Sequence, residues 1–106
     1  GTTTLASMIS CRNSVGYELE KEFMSVFKDK IKRIREIANS VNSTRLSEHR
    51  KFVEMEEEKG NSLKYEASNY DFGVRTKQEK DILLRTVKNV REINENHLEV
   101  VHKKFE

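Results

Sequence analysis

The 106-residue chain has no proline, no tryptophan and only four glycines. Loop-rich and all-β proteins need turn-forming residues at short intervals, so this scarcity disfavours both classes. The chain also has no apolar run near the roughly 18 residues that a membrane-spanning helix needs. What it does have is charge, with 36% charged and 35% hydrophobic residues. That composition is typical of long, solvent-exposed helices.

Residues that commonly carry catalysis or bind metals are also scarce. Cys11 is the single cysteine, which excludes an intramolecular disulfide and a multi-cysteine metal site, and a lone thiol fits a reducing compartment. His97 and His102 are five residues apart, whereas a helical zinc pair needs a spacing of four. No glycine-rich phosphate loop or nucleophile motif occurs. The sequence therefore predicts no catalytic residue, no metal, no cofactor and no enzymatic activity.

The strongest helical pattern extends from Gly16 to Val41. Its apolar residues recur at steps of three and four, which places them on one face of a helix. Glutamates lie near its start and lysines and arginines nearer its end, as the helix dipole favours. The apolar face consists of Phe23, Met24, Phe27, Ile31, Ile34, Ile37, Ala38 and Val41.

Two further helices are predicted after this one. Polar residues at 39–44 predict a break, and Thr44 can cap a second helix that reaches Tyr70. Gly60-Asn61 either weakens that helix at its centre or separates a helix at 45–59 from one at 62–70, and we favour one interrupted helix. A second break at 69–73 and a capping box from Thr76 to Glu79 introduce a third helix that continues close to the end of the chain.

These elements predict an all-α fold. Three long helices joined by short links pack most simply as an antiparallel up-down-up bundle. We expect residues 1–13 to be a flexible tail and residues 14–106 to be one domain. The first helix has more apolar surface than the second can cover, so we expect either a second copy, in a coiled-coil-like dimer, or a partner helix to cover the rest.

The function that follows is a non-enzymatic protein–protein interaction or oligomerisation module, or scaffold, which binds a protein partner or a second copy through apolar helix faces. The residues expected to make those contacts lie on the first and third helices: Phe27, Ile31, Ile34, Val41, Val87, Val90, Leu98 and Val101.

The basic run of the first helix supports an alternative function. Lys28, Lys32, Arg33 and Arg35 wrap around the helix and could bind phosphates of nucleic acid or of an anionic membrane. Against this, the net charge is only +2, from 20 basic and 18 acidic side chains, whereas a dedicated DNA-binding domain normally has a clear basic excess. A solvated helix face is the simpler interpretation of such a run.

The third alternative is a magnesium-dependent all-α hydrolase. It would need Glu54 with Glu57 or Glu58 facing Glu79 and Asp81, since carboxylates that converge from two helices can bind Mg²⁺. Because acids so close in sequence cannot all face one site, an ordinary solvated face is favoured over this alternative.

Overall fold

The structure combines helices with strands. It is a computed structural model that describes residues 2–105. Within that range, no helix is both long and apolar enough to cross a membrane. The predicted all-α three-helix bundle is wrong, because most of the region predicted as the third helix forms β-strands. In chain order the elements are α1 Thr2–Ile9, α2 Lys21–Ile31, α3 Ile34–Glu58, β1 Tyr65–Glu66, β2 Gly73–Val74, a 3₁₀ helix Lys77–Asp81, β3 Arg85–Asn94 and β4 His97–Lys104.

The region predicted as one first helix, from Gly16 to Val41, forms α2 and the start of α3. Helix α2 ends at Ile31, the chain turns at 32–33, and α3 then continues without interruption through the predicted break at 39–44. Burial explains this continuity, since Ile34, Ala38, Asn42 and Leu46 are four residues apart and all buried. This buried stripe outweighs the weak turn preference of the Asn, Ser and Thr residues between them.

Helix α3 ends where the sequence offers a left-handed cap. Gly60 has a φ of 79°, and the Asn61 N–H donates to the Glu56 carbonyl oxygen at 2.9 Å. This closure terminates a helix in a Schellman-type turn. The favoured single interrupted helix is therefore wrong, and so is a separate helix at 62–70, which contains β1 instead. The segment predicted as a break between two helices, 69–73, instead lies in the loop between β1 and β2 and includes Gly73, the first residue of β2.

The predicted third helix is a short 3₁₀ helix followed by an antiparallel hairpin of β3 and β4. Thr86, Val87, Val90, Val100 and Val101 are β-branched, and such side chains favour strands over helices. The two-residue turn at 95–96 is held by the Asn96 N–H, which donates to Asn94 Oδ1 at 2.8 Å. A side-chain oxygen that accepts a hydrogen bond two residues on is a common turn device.

By its internal contacts the chain divides into two compact units. Unit 1 comprises residues 2–41 and 85–105 of the described chain. Its core consists of the buried side chains of Met8, Ile34, Ala38 and Val87. A ring nitrogen of His102 lies 2.6 Å from the Met8 carbonyl oxygen and fixes α1 to β4. The segment predicted as a flexible tail thus contains a helix with a buried residue.

Unit 2 comprises residues 42–84. Strands β1 and β2 pair in antiparallel register, with Tyr65 opposite Val74 and Glu66 opposite Gly73. The loop between them is closed by the Ala67 N–H, which donates to the Phe72 carbonyl oxygen at 3.0 Å. The buried apolar residues of this unit are Leu46, Ala67, Phe72, Val74 and Leu84.

Candidate nucleic-acid interface

The predicted basic patch lies on the surface of unit 1. Lys28, Lys32, Arg33 and Arg35 are all exposed, and they extend from the last turn of α2 to the first turn of α3. Lys32 Nζ lies 3.7 Å from Asp29 Oδ1, and Arg33 Nε lies 3.7 Å from Glu36 Oε2. Both pairs are well exposed to water, so they hold their charges only weakly.

Three cations in or beside this patch are not held by ion pairs. Within residues 2–105, Lys28, Lys30 and Arg35 are exposed and form no ion pair. An exposed, unpaired cation can neutralise a phosphate without first breaking an internal contact. This part of the surface is therefore available to bind an anionic polymer.

The residues predicted to bind a partner are mainly inside unit 1. Ile34 and Val87 are each 1% exposed and form its core. Four others, Phe27, Ile31, Val90 and Leu98, are partly buried against that core. Val101 is half-buried, and Val41 is 40% exposed. Helical spacing could not show that the chain itself covers most of these apolar side chains.

The β3–β4 hairpin, called the ribbon below, divides into two ends. At its open end Arg85 pairs with Lys104 and Thr86 pairs with Lys103, and Lys88 occupies a bulge. At its turn end every residue from Arg91 to His97 is exposed. Sequence analysis missed the ribbon, because its β-branched residues favour strands but its Glu95-Asn96 turn lacks the glycine that usually signals a hairpin.

Charge is distributed unequally between the two units. In the sequence, the segments 1–41 and 85–106 contain twelve basic and nine acidic side chains, whereas the segment 42–84 contains eight basic and nine acidic ones. The modest net charge of the whole chain is therefore the sum of a basic unit 1 and a nearly neutral unit 2. Unit 1 is the part that electrostatic attraction would bring towards a polyanion.

Two arginines of unit 2 make contacts within the unit. Arg75 Nη2 lies 3.4 Å from Glu56 Oε1, and the Arg75 guanidinium lies 4.8 Å from the centre of the Phe52 ring. Arg50 Nη2 is 3.0 Å from Asp71 Oδ1. Glu56 is the buried partner, with a side chain only 10% exposed. These contacts join residues far apart in sequence, so no local pattern could have indicated them.

Aromatic rings complete this cluster. A His49 ring nitrogen lies 2.8 Å from the Gly73 carbonyl oxygen, and the His49 ring centre lies 4.4 Å from that of Phe72. Tyr70 stacks on Phe72 at 5.4 Å, and the Leu84 N–H donates to the Tyr70 hydroxyl at 3.0 Å. The polar groups of His49 and Tyr70 are therefore engaged in holding unit 2 together.

The carboxylates proposed for magnesium do not form a site. Among the described residues, no three side chains of the His, Cys, Asp and Glu types lie close enough to hold a metal ion. Glu54 and Glu57 line an open cleft of about 510 Å³. Glu79 Oε2 instead accepts the Arg75 N–H at 3.3 Å, and Thr76 makes no side-chain cap hydrogen bond, so the predicted capping box is wrong.

Comparison with known proteins finds similarity to part of an enzyme. No protein-family model and no solved structure matches the chain. The chain is similar to a methyltransferase. That relative is the type II methyltransferase M.MthZI of Methanothermobacter thermautotrophicus, with 34% identity over 99 residues, which is 93% of this chain.

The aligned region makes up 26% of the relative, so the chain spans about a quarter of that protein's length. The similarity contradicts the predicted non-enzymatic interaction module, oligomerisation module or scaffold, and the mixed fold contradicts the predicted coiled coil.

Proposed function

We propose that this chain is a DNA-contacting part of a type II DNA-methyltransferase-like protein. The observation that carries the proposal is the 34% identity with a type II methyltransferase over nearly the whole chain. A protein that modifies DNA must bind the phosphate backbone before it can act on a base, and this contact supplies much of the affinity. The alternative drawn from the sequence, a basic helix that binds nucleic acid, agrees with a protein of this class.

The charge and exposure of unit 1 support the proposal. Lys28, Lys30 and Arg35 are exposed and unpaired among the described residues, and the open end of the ribbon adds Lys88 and Lys103. Lysine and arginine side chains that contact phosphates release condensed counterions, which drives binding. We assign the phosphate contacts to these side chains.

The proposal gives this chain DNA contact rather than the methyl-transfer step. The support is the partial coverage, since the chain corresponds to about a quarter of the relative. Phosphate contacts orient a protein on the duplex. In this proposal, unit 1 helps to hold a DNA duplex in place for the reaction.

Fluorescence anisotropy with a labelled duplex over a series of salt concentrations tests the proposal. The affinity of the wild-type chain should fall linearly on a plot of log K against log salt concentration. The triple variant Lys28→Gln, Lys30→Gln, Arg35→Gln should bind more weakly, and its slope should be shallower by about 1 for each phosphate that the variant no longer neutralises.

A matched control comes from unit 2. Lys51, Lys59 and Lys77 are exposed and unpaired in the described chain, so their triple change to Gln removes the same charge from the other unit. This control should retain a slope near that of the wild type. Equal losses of affinity in both triple variants would show that only net charge matters, and absence of binding by the wild-type chain at low salt would refute the proposal.

A further inference from the structure

The turn end of the ribbon is exposed to solvent. Seven consecutive residues from Arg91 to His97 are exposed, whereas Thr86 and Val87 near the open end are buried. Paired strands lie about 4.8 Å apart. The major groove of B-DNA is about 12 Å wide and admits a two-stranded ribbon. An exposed end of this width can therefore enter a groove.

Charge separates the two ends of the ribbon. Arg85, Lys88, Lys103 and Lys104 lie at the open end, where residues 85–88 and 101–104 include no carboxylate. At the turn end, Arg91 Nη1 lies 3.5 Å from Glu99 Oε1, and Glu92 and Glu95 add further negative charge. The turn end is thus a poor phosphate binder.

The same turn is rich in groups that can pair with base edges. Asparagine pairs with the N6 and N7 atoms of adenine, and glutamate accepts a hydrogen bond from cytosine N4. Phosphate contacts position a protein on DNA, whereas contacts to base edges specify the sequence. The two ends of the ribbon fit these two roles, with the open end for phosphates and the turn end for bases.

The two asparagines of the turn are not equivalent. Asn94 Oδ1 already accepts the Asn96 N–H at 2.8 Å, so its acceptor is used to hold the turn. The Asn96 side chain is exposed and makes no hydrogen bond within the described residues. A bidentate contact to adenine needs both the donor and the acceptor of one carboxamide. Asn96 has both of them available.

We propose that the ribbon turn reads base edges in the major groove and that Asn96 pairs with an adenine. This inference rests on the DNA contact proposed above and adds to it the residue that determines sequence preference. The ligand it specifies is duplex DNA that presents an adenine to the turn. Glu95, the other residue of the turn, provides the acceptor suited to a neighbouring cytosine.

Selection from a pool of duplexes with a randomised core tests the inference. The wild-type chain should enrich sequences with A·T at one fixed position. Asn96→Ala should reduce the preference at that position by about 5- to 100-fold, which is the discrimination that one bidentate pair of hydrogen bonds provides. Binding to a duplex of unrelated sequence should change by less than about twofold, because the phosphate contacts remain.

Two variants separate base reading from loss of structure. Asn96→Asp keeps the shape of the side chain but replaces its donor with a second acceptor, so it should lose the adenine preference as Asn96→Ala does. Asn89→Ala changes an exposed asparagine in the middle of β3 and should leave the preference unchanged. Circular dichroism and thermal unfolding confirm that each variant is folded.

The outcomes distinguish this inference from the proposed function. If the wild-type chain binds duplexes but enriches no sequence, or if Asn96→Ala keeps the wild-type preference, the base-reading role is refuted and the DNA contact stands. If the wild-type chain binds no duplex at low salt, both proposals fail. If the preference disappears at one position only, and only when Asn96 is changed, the assignment holds.

Discussion

The two units of this chain are stabilised by different means. Unit 1 is built on aliphatic packing around Ile34, Ala38 and Val87, and its unpaired lysines point to water. Unit 2 buries apolar side chains as well, but it is also cross-linked by rings and charges, such as the contact of Arg75 with both Glu56 and the Phe52 ring. Aliphatic packing therefore leaves Lys28, Lys30 and Arg35 available, whereas unit 2 uses Arg50 and Arg75 for cohesion.

This difference changes the meaning of the net charge. The near balance of 20 basic and 18 acidic residues argues against DNA binding only if the charges are evenly distributed. They are not, because the positive excess belongs to the segments that form unit 1. Local charge, rather than the sum over a chain, determines attraction to a polyanion within a Debye length of about 8–10 Å.

The largest effect is expected from Ile34→Asp. Ile34 is 1% exposed at the centre of the unit 1 core, and the change would bury an unpaired carboxylate. Removing the side chain alone should cost about 2–5 kcal/mol of unfolding free energy, and the buried charge adds to this cost. Hydrogen exchange measured by mass spectrometry should show reduced protection in peptides that cover β3 and β4.

The matched control is Ile93→Asp. Ile93 is 47% exposed near the ribbon turn, so the same substitution should cost less than about 1 kcal/mol. Wild-type stability of Ile34→Asp would contradict the aliphatic core of unit 1. Equal destabilisation by both substitutions would show that exposure does not distinguish the two sites.

A smaller destabilisation, confined to the other unit, is expected from Gly73→Ala. A Cβ atom added at Gly73 would lie 2.9 Å from Leu63 Cβ and 3.1 Å from Leu63 Cδ1, so β2 or its neighbour must shift. Overpacking of this kind typically costs about 1–3 kcal/mol. Exchange should accelerate in peptides from 63 to 84.

Gly16→Ala is the corresponding control in unit 1. There the added Cβ has only Thr4 Oγ1 nearby, at 3.8 Å, which is an ordinary contact. Its effect should lie between zero and a gain of about 1 kcal/mol, since alanine restricts the unfolded chain. A stable Gly73→Ala variant with normal exchange would mean that Leu63 yields more easily than close packing suggests.

The sequence could predict only part of this fold, and bulges explain much of the failure. Val87, Val90 and Ile93 are spaced by three, which indicates a helix. In the structure the strand register shifts between Val87 and Asn89 and again between Glu92 and Asn94. An extra residue at a bulge brings Val87 and Val90 to the same face of β3, where both pack on the core. A bulged strand can therefore imitate helical spacing.

The basic patch of the candidate site could be predicted, whereas unit 2 could not. Lys28, Lys32, Arg33 and Arg35 are neighbours in sequence, so they remain neighbours on the surface in any helical arrangement. The contacts of unit 2 join Glu56 with Arg75 and His49 with Gly73, which are 19 and 24 residues apart. Periodicity is a local signal and has no information about such pairs.

The smallest effect, a gain in stability rather than a loss, is expected from a substitution at the C-terminal turn of α1. Helix α3 is closed by Gly60 at a φ of 79°, whereas α1 is followed by Cys11 at a φ of 59°. The left-handed conformation costs an L-residue roughly 1–2 kcal/mol, a cost that glycine avoids. Part of that gain is offset because glycine is more flexible in the unfolded chain. Cys11→Gly should therefore raise the unfolding free energy by about 0.5–1 kcal/mol, as measured by urea denaturation.

Gly60→Ala is the reverse experiment. A Cβ atom at Gly60 would have no heavy atom within 4 Å, so its effect isolates backbone strain from packing. We expect a decrease of about 1 kcal/mol in unfolding free energy, and Cys11→Ser, which keeps the strained conformation without the thiol, should be close to wild type. If Cys11→Gly were destabilising while Gly60→Ala behaved as expected, the side chain of Cys11 would have to stabilise unit 1 by more than its left-handed backbone costs. Since Cys11 is exposed, that contribution would have to come from contacts at the surface of the protein rather than from burial in its core.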